Sequence, residues 1–287
     1  MGLFGGRKKS AKMADTSTVT TADEHLAAIK AEAAKAQAEA MMTDADAIRY
    51  GSDAYIPRDD FKSKAYYLGE LVRANRMNDA LMKKDPPKIS KTIFYLDIKL
   101  TTLYLIGAEK EDMLPVVKTY CARRGSLDTK LSYNEAVKLL SLGILFDMDK
   151  EDLAFIEEHM VEERYVDAVL DLLRNWVFEG RKTTDKDYYF PMNVSGEFVK
   201  EADGFMSVVH AEEDAVRTDA FVEFLDTTIE RYYERRMKEY ERLAEMSGPD
   251  DYTYHGFYDW GLTAIAKLYG MEKAKLEGSR FIAIDLL

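Results

Sequence analysis

A chain of 287 residues, 47% of them hydrophobic, can bury a sizeable core in one large domain or two small ones. Its net charge of −12 argues against nucleic acid as a partner, and its single cysteine, Cys121, excludes an internal disulfide framework. No apolar run approaches the roughly 20 residues that span a bilayer, and the start, MGLFGGRKKSAK, carries no signal-peptide apolar region, so a cytoplasmic protein without membrane contact is expected.

Residues 1–20 read as a mobile tail of glycines, a Lys/Arg cluster and Ser/Thr. Thr21-x-x-Glu24 has the form of a capping box, in which each side chain satisfies a free amide at a helix start. The helix that follows, to about Ala40, shows a thin apolar stripe: Leu26, Ile29, Ala33, Ala36 and Ala40. Pro57-Arg58-Asp59 opens the globular part, with Asp59 the expected N-cap of a helix running to about Lys84, before Pro86-Pro87. Residues 88–106 are apolar on much of their circumference and predict a central helix stopped by Gly107. A further helix is expected over 109–124, closed by Gly125.

Ser132-x-x-Glu135 is a second capping box before AVKLLSLGILF, where Gly143 weakens the helix by about 1 kcal/mol relative to Ala and suggests a close crossing. Helical patterns continue over 149–159 and 161–178. The segment from Gly180 to Gly196 is the clearest break, rich in turn formers. Helix resumes near Glu197, and Val222, Leu225, Ile229 and Tyr232 mark a long amphipathic helix over 216–243. Tyr254, Gly256, Phe257, Tyr258 and Trp260 lead into a small-residue helix, Leu262 to Tyr269, with Gly270 placed for a left-handed cap. The ending Phe-Ile-Ala-Ile-Asp-Leu-Leu is too apolar for a frayed terminus, so Phe281, Ile282 and Ile284 are expected in the core. There is no alternating strand pattern. The fold class is all-α, arranged as an N-terminal extension (1–50) and two helical halves (51–179 and 180–287).

Residues that carry chemistry are sparse. The four histidines, His25, His159, His210 and His255, lie far apart, and none stands in a zincin or Glu-x-x-His arrangement. No phosphate-binding glycine loop or nucleophile elbow is present. Cys121 follows Val116, Val117 and Tyr120 on a helix, the setting of a buried small apolar residue rather than a nucleophile. Trp176 and Trp260 read as core. The residues therefore suggest no catalytic site, no metal and no cofactor.

The C-terminal stretch resembles the C-terminal half of the PoNi-type immunity proteins, which protect bacteria from PoNe-type DNase toxins delivered by type VI and related secretion systems. Gly256, Phe257 and Tyr258 match that family's opening, Ala264, Ala266 and Lys267 its helix, and Phe281, Ile282, Ile284, Asp285 and Leu286 its tail. Arg58, Asp59, Tyr95, Tyr104 and Gly107 correspond to its N-terminal half, so the resemblance covers about residues 51–287. Two positions depart from it: Gly261 stands where the family usually has Glu, and Ala283 where it has Pro. The resemblance implies a protein partner, a cognate nuclease toxin that this chain binds and blocks without catalysis of its own.

The charge distribution agrees with that partner. Residues 147–245 hold 27 acids against 13 bases, while the rest of the chain holds 25 against 27, so the acidity sits in one contiguous part. A basic partner is its natural complement, although acidic surfaces also serve simply for solubility. Two clusters stand out as candidate partner-binding residues: Glu157, Glu158, Glu162 and Glu163 at a helix junction, and Glu212, Glu213 and Asp214. Taken alone, each is an ordinary solvated face. Tyr188, Tyr189 and Phe190 in the break are either packing between the halves or anchors for a partner, and Tyr188 and Tyr189 join the candidates. The alternative is a helical scaffold or regulatory adaptor that oligomerises through its N-terminal helix. The oligomeric state itself is left open by the residues.

Overall fold

Asp44 opens the first described helix: its carboxylate accepts from the amides of Asp46 (3.1 Å) and Ala47 (3.2 Å), launching α1 (Ala45–Tyr50). In this computed structural model the described residues are 41–58, 62–160, 162–187, 203–231 and 258–287, with single helical positions at 31, 35, 39, 234, 238 and 242. Among them the chain is helix and turn throughout, and no helix is long and apolar enough to cross a membrane. The expected capping box at Thr21 and the alanine stripe from Leu26 to Ala40 lie outside the described residues.

Helices α2 (Lys64–Met82) and α3 (Ile89–Leu105) pack along each other, α1 lies on α2, and α4 (Lys110–Gly125) returns along α3. The central helix is as expected, and Gly107 (φ 94°) ends it in the left-handed region. A Cβ there would also sit 2.6 Å from the Ile56 carbonyl, so the segment before α2 can cross this corner only over glycine. The start of α2 differs from expectation. Asp59 lies outside the described residues, and the N-cap is Ser63, whose hydroxyl accepts from the Tyr66 amide (3.2 Å). Gly125 is likewise not a left-handed stop. It is the last helical residue of α4, and a Cβ on it would lie 3.0 Å from the Phe155 ring, so its role is close packing.

The capping box at Ser132 forms as predicted and starts α5 (Tyr133–Leu145): Ser132 Oγ accepts from the Glu135 amide (3.3 Å), and Glu135 accepts from the Ser132 amide (2.8 Å). At Gly143 a Cβ would run into the Leu153 side chain, which accounts for a glycine inside an apolar helix. The region after it is less regular than its pattern suggests. Short turns α6 (Lys150–Leu153) and α7 (Phe155–Glu158) precede a 3-10 turn at Glu163–Tyr165, and α8 spans only Ala168–Glu179. The cause is an anchored cap: the Asp167 side chain caps the Leu170 amide (2.9 Å) and accepts from the Tyr133 hydroxyl of α5 (2.8 Å), which fixes the helix start there. Gly180 (φ 70°) closes α8.

After the break come α9 (Asp203–His210) and α10 (Asp214–Phe224), which pack on each other. The long amphipathic helix is present but passes through a π turn at Leu225–Ile229 before helical geometry resumes. Leu225 and Ile229 face inward. Helix α11 (Trp260–Tyr269) is closed by Gly270 (φ 64°), as the sequence predicts; Asp259 caps its start, and it lies between α5 and α8. The short α12 (Lys273–Leu276) and a closing 3-10 turn, Ile284–Leu286, complete the chain. Phe281 and Ile282 are buried as expected and Leu286 is buried with them, whereas Ile284 is only half-buried, because the closing turn rotates it to the rim.

The buried side chains form one continuous core, running from Tyr50 and Leu71 through Leu140 and Leu172 to Ile265 and Leu286. It includes residues on both sides of the break at Gly180.

Candidate partner-binding surface

Four of the residues that carry the family resemblance, Arg58, Tyr104, Tyr258 and Asp285, meet in space, whereas Asp59, Gly256 and Phe257 lie outside the described residues. Arg58 reaches the C-terminal end of α3: its guanidinium donates to the carbonyls of Tyr104 and Ala108 (3.1 Å for the latter) and pairs with Asp285 at 2.5 Å. A cation there complements the negative end of the helix dipole. The same guanidinium stacks 4.4 Å over the Tyr104 ring, which meets Tyr258 edge-on at 4.5 Å. Lys267, on α11, donates to the carbonyls of Ile144 (2.9 Å) and Leu145 (3.0 Å) and to Asp147 (2.7 Å), closing α5 in the same manner. These are packing and capping contacts, so they build the scaffold and leave the outward faces free.

Both departures from the family pattern have a local reason. A Cβ at Gly261 would lie 3.1 Å from Val137 Cγ1 and from Asp259 Oδ1, so this helix start rests tightly on α5. The Ala283 amide donates to Thr263 Oγ1 at 2.9 Å, a bond that proline has no hydrogen to make.

Every described member of the two acidic clusters is exposed. Glu157 and Glu158 end α7, and Glu162 and Glu163 begin the 3-10 turn. Within this cluster Glu157 pairs with Arg174 (3.1 Å), Glu162 with Arg164 (2.9 Å) and Glu163 with Lys186 (2.7 Å). In the second, Asp214 pairs with Arg217 (2.7 Å). Glu158, Glu212 and Glu213 have no described cation within ion-pair range, so they carry the least compensated charge of the two clusters. Tyr188 and Tyr189 lie outside the described residues.

The structure links the two clusters through residues 182–186. Lys186 holds Glu163. Four residues earlier, the Lys182 carbonyl accepts from the Tyr269 hydroxyl (2.9 Å), and the Tyr269 ring lies 4.6 Å under the Arg217 guanidinium that binds Asp214. Burial pushes the Tyr269 hydroxyl up to about 12, against the opposing pull of Arg217, so it stays protonated and able to donate.

Two exposed apolar side chains lie within these acidic stretches. Tyr165 is 41% exposed beside Glu163, with the Arg164 guanidinium 4.7 Å over its ring, and Val216 is 53% exposed two residues after Asp214. The sequence reading did not single them out; Glu-Arg-Tyr after a glutamate run was the available signal for the first. A third acidic feature also went unread. Asp219, Val222, Glu223, Asp226, Thr227 and Lys275 line an open groove of about 560 Å³ beside the π turn, where Lys275 pairs with Asp219 at 2.7 Å.

Cys121 is buried on α4, and burial, with Asp152 nearby, pushes its thiol up to about 12, leaving it an unreactive thiol. Trp260 is buried and Trp176 half-buried under Lys182, which lies 5.2 Å over its ring. His159 and His210 are far apart in sequence on separate elements; His25 and His255 lie outside the described residues.

No family model and no curated protein matches this chain. Its fold is similar to that of protein PA2201 from Pseudomonas aeruginosa, known from a crystal structure: the TM-score is 0.55 and the identity 15%, over 87% of this chain and 95% of that one. At that identity the likeness is one of fold alone.

Proposed function

We propose that the chain is an immunity protein of the PoNi type, which binds a cognate nuclease toxin in the cytoplasm and occludes its DNA-binding or active face. The observation that carries this reading is the surface described above: exposed glutamates from two parts of the chain, joined through residues 182–186, with Tyr165 exposed among them. A nuclease must hold a polyanion and so presents cations. An acidic face attracts it over distance, and an aromatic side chain supplies the desolvated contact that slows its release. The meeting of Arg58, Tyr104 and Asp285 supports the family assignment, because the two halves of the resemblance converge on one contact. Blocking by occlusion asks for no catalysis by this chain. The reading expects a nuclease gene beside its own, and the test is co-expression with that neighbouring nuclease: growth should be rescued and a complex should co-purify, and absence of the gene or of both outcomes overturns the reading.

A second reading, an adaptor that oligomerises near its N-terminal helix, draws on one observation. Met42, Ile48 and Ile56 are 78%, 61% and 75% exposed close to where that helix enters the fold. Sedimentation of the full chain and of Ile48→Glu decides it: a concentration-dependent dimer lost in the variant supports the adaptor, and a monomer in both removes it.

A further inference from the structure

Helix α8 is apolar on its inner face except at two positions one turn apart, Asp171 and Asn175, which are only 6% and 2% exposed. Buried polar groups must find partners, and these two find them in the segment after Gly180. Three donors converge on one carboxylate oxygen, Asp171 Oδ2: the Thr184 hydroxyl (2.8 Å), the Asp185 amide (2.9 Å) and the Asn175 side-chain amide (3.2 Å). Asn175 also donates to the Thr183 carbonyl (3.0 Å), and the Thr184 hydroxyl oxygen accepts from the Lys186 amide (3.1 Å). The clamp therefore grips residues 183–185, between the Lys182 carbonyl that accepts from Tyr269 and the Lys186 ammonium that binds Glu163.

We infer that Asp171 and Asn175 are positioning residues for partner binding: buried themselves, they fix the bridge that sets the Glu157–Glu163 cluster relative to Asp214. This rests on the functional reading above. Without the clamp, the ion pair at Glu163 and the contact at Tyr269 are no longer held by one rigid segment, and the two clusters meet a partner independently. Each complex then bears the entropy of ordering that segment.

The test uses the full chain and a catalytically inactive form of the neighbouring nuclease. Because all three donors meet one oxygen, an amide oxygen in the same place keeps them, so Asp171→Asn should behave like the wild type and Asp171→Ala should not. In Asp171→Ala, and in Thr184→Val, which alters only the half-buried side of the clamp, hydrogen exchange at Asp185 and Lys186 should quicken at least tenfold while α5 and α11 keep their protection. Affinity for the nuclease should fall about tenfold in both, and adding Lys186→Ala should bring little further loss, since the two changes break one device. Unchanged exchange at 183–187, or faster exchange with wild-type affinity, overturns the inference while leaving the functional reading intact. A wild-type chain that does not bind the nuclease overturns the reading and the inference together.

Discussion

Arg58 and Asp285 lie 227 residues apart in sequence and 2.5 Å apart in space. The pair ties the entry to the globular part to the closing turn, and the buried side chains beside it show which term dominates. Asp285 is 48% exposed on its side chain, whereas Phe281 is 2% exposed in the core. An exposed ion pair is worth at most about 1 kcal/mol, and truncating a buried phenylalanine costs about 3–5 kcal/mol. Phe281→Ala should therefore lower the denaturant midpoint severely and Asp285→Ala only slightly. Equal effects would mean that the tail is held by charge and not by packing.

Ala283 offers a sharper test of the same region. Its amide donates to Thr263 Oγ1, and both residues are buried. Ala283→Pro removes the donor and leaves the Thr263 hydroxyl with its bond to the Asp259 carbonyl (2.8 Å), at a cost of about 0.5–1.5 kcal/mol. If chemical unfolding shows the proline variant as stable as the wild type, the Thr263 bond contributes nothing.

Acid should weaken the fold through Asp147. Burial alone would raise its pKa, but hydrogen bonds from Lys110 and Lys267 outweigh it and hold the carboxyl below its ordinary value. A carboxylate depressed on folding stabilises the protein above the ordinary carboxylate value, and that contribution is lost as pH falls through the lower folded value. Asp147 has φ 52°, a conformation Asn also tolerates, so Asp147→Asn removes the charge without straining the turn. The variant should melt below the wild type near about pH 6, and the gap should close as pH falls through the lowered folded-state value. A constant gap across that range would show that the pairs with Lys110 and Lys267 do not drive the effect.

Much of this fold could be read from the residues because its punctuation is local. Ser132 and Glu135 cap within one turn, and Gly107, Gly180 and Gly270 take left-handed geometry at helix ends. The misreadings came where a tertiary partner decides. Gly125 looked like a stop and is a seat for the Phe155 ring; helix was expected from residue 161 but waits for Asp167, which Tyr133 anchors from another helix. The acidic clusters were visible as composition. Which of their carboxylates are already paired was not, because Arg174 and Lys186 reach Glu157 and Glu163 only through the fold. The Asp171 clamp was hidden for the same reason: its partners lie 13 and 14 residues onward, across a helix end.

Binding kinetics with the inactive nuclease, at low and high salt, test the central claim most directly. The three glutamates without described cations give the cleanest charge probe, since reversing them breaks none of the described intrachain pairs. Glu158→Lys, Glu212→Lys and Glu213→Lys together should slow association, with a larger loss at low salt than at high salt. Tyr165→Ala should leave association nearly unchanged and speed dissociation by about tenfold or more, as expected when an interface loses an aromatic anchor. A wild-type chain that does not bind, or variants whose association and dissociation rates match the wild type at both salt concentrations, would contradict the account.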